Sequence, residues 1–225
     1  MNHGHRGRGV LFDLDGTLLD TAPDMAGALN ELRIAEGLEP LPFDALRPHV
    51  SHGSVRLVSV GFGLDEGAEH ERLRLRFLDI YRARLASATR PFDGIERVLG
   101  AIEAAGLAWG VVTNKPGWLT EPLLEELDLR GRCGCVVSGD TLPVRKPHPR
   151  PLLHAAETLG LAPAECTYVG DAERDVQAGR AAGMRTLVAG FGYLGADDRP
   201  AAWGADGILA SPLELLDWLG LERAA

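Results

Sequence analysis

Five short apolar runs, at Val10 to Phe12, Ala108 to Val112, Cys135 to Val137, Thr167 to Val169 and Thr186 to Ala189, are separated by stretches patterned for helix. Alternation of this kind predicts an α/β fold, a doubly wound parallel sheet with helices on both faces. In such sheets ligands bind beyond the carboxyl ends of the strands. This chain concentrates its chemically active residues at those ends.

The first run leads into Asp13-Leu14-Asp15-Gly16-Thr17. Residues two apart on a strand point to the same side, so Asp13 and Asp15 can converge where Gly16 lets the chain turn. Like charges ~4 Å apart repel by roughly 4 kcal/mol at an effective dielectric of about 20, and an incoming phosphate adds to the repulsion. A cation relieves it, and hard oxygen ligands suit Mg²⁺. Alone, the pattern reads equally well as a solvated surface turn.

Three further clusters weigh against the surface turn. The second run ends in Thr113-Asn114, followed by Lys115-Pro116. Lys146-Pro147-His148-Pro149 places a cation in a proline-stiffened loop, and Gly170-Asp171 ends a later run with Asp175 one helical turn on. The four clusters, in this order, resemble the motifs of the haloacid dehalogenase superfamily of phosphohydrolases. Each is weak alone, whereas the ordered set is specific and spans nearly the whole chain.

That resemblance implies roles residue by residue. Asp13 is the nucleophile that forms an aspartyl-phosphate; Asp15 protonates the leaving oxygen and then activates water. Asp13, the backbone carbonyl of Asp15 and Asp171 hold Mg²⁺, with Asp175 behind them in an orienting role. Thr113, Asn114 and Lys146 bind the transferring phosphoryl oxygens. Dehalogenase relatives lack the second acid, so Asp15 points to phosphatase or phosphomutase chemistry, with hydrolysis the default. Within the superfamily the chain is similar to phosphoglycolate phosphatases and more so to N-acetylmuramic acid 6-phosphate phosphatases. The second likeness rests on Trp109 to Pro116, Gly192-Tyr193, Trp203 to Asp206 and Pro212 to Leu215. The expected partner is a small phosphorylated metabolite.

A chain of 225 residues with 45% hydrophobic content can bury one good core and carry an insertion. From about Asp20 to Phe92 the strand alternation stops. Ala22, Met25, Ala26, Leu29 and Leu32 recur at helical spacing behind Pro23, and Leu73, Phe77, Ile80, Tyr81 and Leu85 repeat the pattern. The expected organisation is a catalytic core over residues 1–19 and 93–225 with a helical cap over 20–92. His52-Gly53-Ser54 and Arg56 are the cap candidates for contact with the organic part of the substrate, or else an ordinary helix start with a solvated arginine.

A net charge of -9 argues against a nucleic-acid surface, so any phosphate site must be locally positive. No apolar run reaches the ~20 residues that span a bilayer, and the basic start from Met1 to Gly9 precedes too short an apolar stretch for a secretory signal. The expectation is a cytoplasmic enzyme with no membrane, nucleic-acid or obligate protein partner. Cys133, Cys135 and Cys166 lack metal-type spacing and read as reduced structural thiols. His3 and His5 lie in a glycine-rich start and read as a disordered end.

Gly190-Phe191-Gly192-Tyr193-Leu194-Gly195 matches the dinucleotide GxGxxG pattern, but Pro200 follows closely and no βαβ unit comes after it. A glycine-rich loop at the rim of the phosphatase site is the better reading. Two other functional classes are a phospho-ligand sensor without catalysis and a nucleotide-cofactor enzyme. A sensor has no need of a nucleophile; Mg²⁺-dependent release of phosphate from an aryl phosphate supports the enzyme over the sensor, and saturable binding of a reduced nicotinamide would support the cofactor reading.

Overall fold

A computed structural model describes residues 8–222 of the chain; His3 and His5 lie outside the described residues. Six parallel strands form the central sheet, in the order β5-β4-β1-β6-β7-β8. They are β1 (Gly9–Phe12), β4 (Ala108–Val112), β5 (Cys135–Val137), β6 (Cys166–Gly170), β7 (Arg185–Ala189) and β8 (Gly207–Leu209). The first five coincide with the apolar runs to within a residue or two. Strand β8 is an addition, only three residues long at the sheet edge, with Leu209 buried and Ile208 44% exposed.

Helices α5 (Ile95–Ala104), α6 (Gly117–Glu126), α7 (Arg150–Leu159) and α8 (Glu173–Ala181) lie between these strands, and α9 (Glu214–Leu219) follows the last of them. Two apolar layers flank the sheet. One joins Val10, Phe12, Trp109 and Val111 to Ile95, Val98, Leu99 and Leu216. The other joins Leu11, Val112 and Tyr168 to Leu152, Ala155, Ala156 and Ala178. Alternate residues of β1 thus point into opposite layers, as the two-residue period of a strand requires.

Between β1 and β4 the chain leaves the sheet. A two-stranded antiparallel ribbon, β2 (Leu19–Asp20) with β3 (Arg90–Pro91), pairs the outgoing and returning segments. Between them lie α1 (Ala22–Ala35), α2 (Phe43–Leu46), α3 (Gly53–Phe62) and α4 (Ala68–Ala83), with a 3-10 segment over Arg47–His52. These helices bury their own core of Met25, Leu29, Leu32, Leu57, Leu73, Phe77 and Tyr81, which meets the sheet portion through Leu119 and Tyr193.

The return of this insertion is pinned by a charge. Asp24, fully buried in the first turn of α1, accepts hydrogen bonds from the Thr89 N–H and hydroxyl, both at 2.8 Å, and from the Ala88 N–H at 2.9 Å. A buried carboxylate is tolerated only with such partners. Its four contacts with residues 84–89 hold the two ends of the insertion together beside the sheet.

Among the described residues no helix is long and apolar enough to cross a membrane. The three cysteines are free and buried.

Candidate active site

Register decides which side chains meet. Phe12 stands level with Val111 of β4 and Val169 of β6, so the residues just beyond these strands emerge on one rim of the sheet. The Asp13 N–H completes the ladder to the Val169 carbonyl at 2.8 Å, and the Thr113 N–H does the same to Val137 at 2.9 Å. Asp13, Thr113 and Asp171 therefore leave the sheet within about one residue of each other, roughly 3.3 Å along the strand direction.

Lys146 joins them from the loop before α7. Its ammonium, on a side chain 1% exposed, lies 2.9 Å from Asp13 Oδ1 and 2.8 Å from Asp175 Oδ1. It also donates to the Val112 carbonyl at 3.0 Å and the Tyr168 hydroxyl at 2.7 Å. Taken alone this lysine reads as a solvated one; the structure buries it completely, between two carboxylates. Asn114 holds it there. The Asn114 amide donates to the Lys146 carbonyl at 2.9 Å and accepts from its N–H at 3.1 Å. Both ends of the Asn114 side chain are engaged in shaping the lysine loop.

Asp13, Asp171 and Asp175 each place a carboxylate oxygen within 4.8 Å of the others. All three are buried, and they divide into different tasks. Asp175 Oδ2 accepts from the Ala172 N–H at 3.0 Å, closing the first turn of α8. Burial pushes its carboxyl up, but Lys146 and Arg174 together hold it below its ordinary value. On Asp13, burial outweighs Lys146 and leaves the carboxyl above its ordinary value, with Asp175 adding to the rise. Asp171 is pushed up to about 7 by burial and by the charges of Asp13 and Asp175. Its Oδ2 accepts from the Tyr193 N–H at 3.0 Å and the Ser51 hydroxyl at 2.5 Å, whereas Oδ1 is buried with no hydrogen-bond partner.

An orphaned carboxylate oxygen beside two further acids is a site short of positive charge. The donor set, hard carboxylate oxygens with a backbone carbonyl nearby, fits Mg²⁺. Close approach is built into the backbone: Gly16 sits at φ +85°, and a Cβ there would overlap the Asp171 carboxylate. Gly192 is equally constrained, since a Cβ would run into the Gly16 carbonyl and Asp171. The glycine-rich loop after β7 thus serves packing against this site. Only a three-residue 3-10 turn, Pro200–Ala202, follows it, where a dinucleotide motif needs a helix.

The carboxylate of Asp15 lies apart from the other three. Strand geometry stops at Phe12, so the two-residue period no longer governs, and the Asp15 side chain turns to Lys115 instead. Lys115 Nζ lies 3.0 Å from Asp15 Oδ1 and 2.9 Å from the Tyr81 hydroxyl of α4. Burial works against the ammonium, yet Asp15 and Tyr81 hold its pKa above the ordinary value; burial also pushes the Tyr81 phenol up to about 12. Lys115 is visible in the sequence directly after Thr113-Asn114. Tyr81, Ser51 and Arg174 carry no local signal for the site, because each bonds a residue at least 34 positions away.

These groups open onto a cavity of about 430 Å³ between the sheet and the helical insertion. Asp13, Asp15, Thr113, Asn114 and Lys115 line its floor, and Met25, Leu78, Tyr81, His52, Gly53 and Ser54 its roof, with Arg74, Arg145 and Arg174 around it. Arg56 is exposed and contributes nothing to the lining.

Residues 10–189 match the family model described as haloacid dehalogenase-like hydrolase. The chain is 48% identical over 205 residues to a phosphoglycolate phosphatase of Xylella fastidiosa strain Temecula1, covering 91% of this chain and 90% of that protein. It is 45% identical over 213 residues to the N-acetylmuramic acid 6-phosphate phosphatase of Pseudomonas aeruginosa PAO1, covering 94% of each. In three dimensions it is similar to the crystal structure of a predicted phosphoglycolate phosphatase from Haemophilus somnus 129pt. The TM-score is 0.84 over 96% of this chain and 99% of that one; at 24% identity this likeness speaks to the fold. The family model and these relatives, together with the sheet that carries the site, show that the chain belongs to the haloacid dehalogenase-like hydrolase family.

Proposed function

We propose that the chain is a Mg²⁺-dependent phosphatase that hydrolyses a small phosphomonoester through an aspartyl-phosphate on Asp13, beneath a cap formed by residues 20–92. The observation that carries this reading is the convergence of Asp171, Asp175 and Lys146 on Asp13, which itself lines the floor of the cavity.

Asp13 Oδ1 accepts both from Lys146 and from the Leu14 N–H, the latter at 2.8 Å. The carboxylate is thereby held in one orientation with Oδ2 left to attack phosphorus. As that P–O bond forms, the ester P–O bond breaks, and Asp15 gives its proton to the departing oxygen. In the second half, Asp15 takes a proton from water, which attacks the same phosphorus and returns Asp13 as a carboxylate. Thr113 accepts the Lys115 N–H at 3.1 Å, which leaves its hydroxyl hydrogen to donate to a phosphoryl oxygen. Lys146 offsets negative charge throughout, and such transfer depends chiefly on positioning and electrostatics.

Asp13, Asp171 and the Asp15 carbonyl would hold Mg²⁺, whose charge offsets the repulsion between these acids and an incoming phosphate. Asp175 is engaged with Lys146 and orients that side of the site.

For the organic part, N-acetylmuramic acid 6-phosphate is the favoured substrate: the cavity of about 430 Å³ lies within the usual range of small-molecule sites and has room for a sugar phosphate. Phosphoglycolate is the second reading, favoured by the name of the 48% identical relative. Both molecules carry a carboxylate, and Arg74, Arg145 and Arg174 around the cavity suit a second anionic group. The test is a panel of phosphorylated metabolites containing both, ranked by kcat/KM with Mg²⁺ and after EDTA. A muramic acid derivative at the head of the ranking supports the first reading. Activity that survives thorough chelation contradicts the metal assignment.

A further inference from the structure

The 3-10 segment Arg47–His52 of the insertion reaches across the cavity to the metal end of the site. Ser51 Oγ donates to Asp171 Oδ2 at 2.5 Å and lies 3.5 Å from the Asp15 carbonyl oxygen. Its own backbone is anchored in return, because Arg174 Nη2 donates to the Ser51 carbonyl at 2.6 Å. At the start of the segment, Arg47 donates to the Gly192 carbonyl at 3.1 Å and its guanidinium lies 4.9 Å from the centre of the Tyr193 ring.

Two donors therefore fall on Asp171 Oδ2, the Tyr193 N–H and the Ser51 hydroxyl, while Oδ1 is buried with none. A carboxylate with one oxygen tied twice and the other bare is turned as a ligand. One of the two ties belongs to the sheet portion; the other arrives only with the insertion. We propose that Ser51 is a positioning residue for the divalent cation, orienting Asp171 from the insertion, so that cation binding and docking of the Arg47–His52 segment strengthen each other. This rests on the Mg²⁺ site proposed above. By linkage, whatever factor docking adds to cation affinity, the cation adds to docking. Loss of such an outer partner typically weakens metal affinity by ~10- to 100-fold.

The experiment is calorimetric titration of the full chain with Mg²⁺ for the unmodified protein, Ser51→Ala and Ser51→Thr, paired with limited proteolysis of the insertion with and without Mg²⁺. The expected result is a Kd about 10-fold or more weaker for Ser51→Ala, loss of Mg²⁺-dependent protection in that variant, and retention of both by Ser51→Thr, which keeps the hydroxyl. Metal-free melting curves with a cooperative transition for all three establish that the alanine variant folds. A Ser51→Ala protein that binds Mg²⁺ as the unmodified one does overturns the inference, as does equal weakening by threonine and alanine. Failure of the unmodified protein to bind Mg²⁺ overturns the metal assignment itself, a different and recognisable outcome.

Discussion

Replacing Lys115 by methionine tests whether Asp15 works as placed. The Lys115 side chain is 4% exposed and that of Asp15 15%, with 3.0 Å between the charged atoms. At that distance and an effective dielectric of about 20, the Coulomb term is about 5 kcal/mol. Asp15 borders the cavity and regains part of its hydration once the ammonium is gone. The net loss then falls to about 2–3 kcal/mol, the low end for truncating one partner of a buried charge pair. At 1.36 kcal/mol per decade this is ~10²-fold in rate, borne by the step in which Asp15 moves a proton. An alkyl phosphate, whose leaving oxygen needs that proton, should lose ~10²-fold in kcat/KM, and a nitrophenyl phosphate less than ~10-fold, within the range of general acid catalysis. Tyr81→Phe, which removes only the hydroxyl that Lys115 also bonds, should give the same pattern in weaker form. Equal losses on both substrates, or none, would refute the assignment of Lys115 as the group that orients Asp15.

Asp13→Asn keeps side-chain volume and removes the nucleophile, so turnover should vanish while the melting curve barely moves; appreciable phosphate release in a single-turnover assay would falsify the role. Asp24→Ala leaves the Ala88 and Thr89 N–H groups and the Thr89 hydroxyl without their acceptor, a loss of about 3–5 kcal/mol. Urea unfolding should show it as a lower midpoint, and a change under ~1 kcal/mol would be incompatible with the pinning role. Burial pushes Cys135 up to about 12 and Cys166 up to about 11, from an ordinary value of 9.0. With folded values above unfolded ones, their contribution to stability is full below pH 9 and is lost as pH rises through 11 and 12. The native protein should resist thiol alkylation at pH 8 and react at all three cysteines in denaturant, and rapid native labelling at Cys135 would contradict its burial.

Asp13, Thr113 and Asp171 are legible in the sequence because each follows an apolar run, and a run ending in a polar residue is a local pattern. Once the runs pair in register, their ends must coincide. The helices of the insertion are legible for a similar reason: Met25, Leu29 and Leu32 recur at the spacing of one helix face and are buried together. Strand β8 escapes notice because its two apolar residues, Ile208 and Leu209, make too short a run to stand out without the pairing to β7.

Other facts exist only in the folded chain. That Lys146 is buried between two carboxylates depends on the loop held by Asn114, 32 residues away. That Asp15 turns from Asp13 toward Lys115 depends on the strand ending at Phe12, before the two acids, and on Tyr81 arriving from α4. Ser51 touches Asp171 across 120 positions of sequence. Period and composition are properties of neighbours along the chain, so the sequence alone determined five of the six sheet strands, the helical insertion and the family of chemistry. Charge pairing and hydrogen bonding act over a few ångströms through space, so only the tertiary structure decided which acid meets which cation, and what the insertion lays over the site.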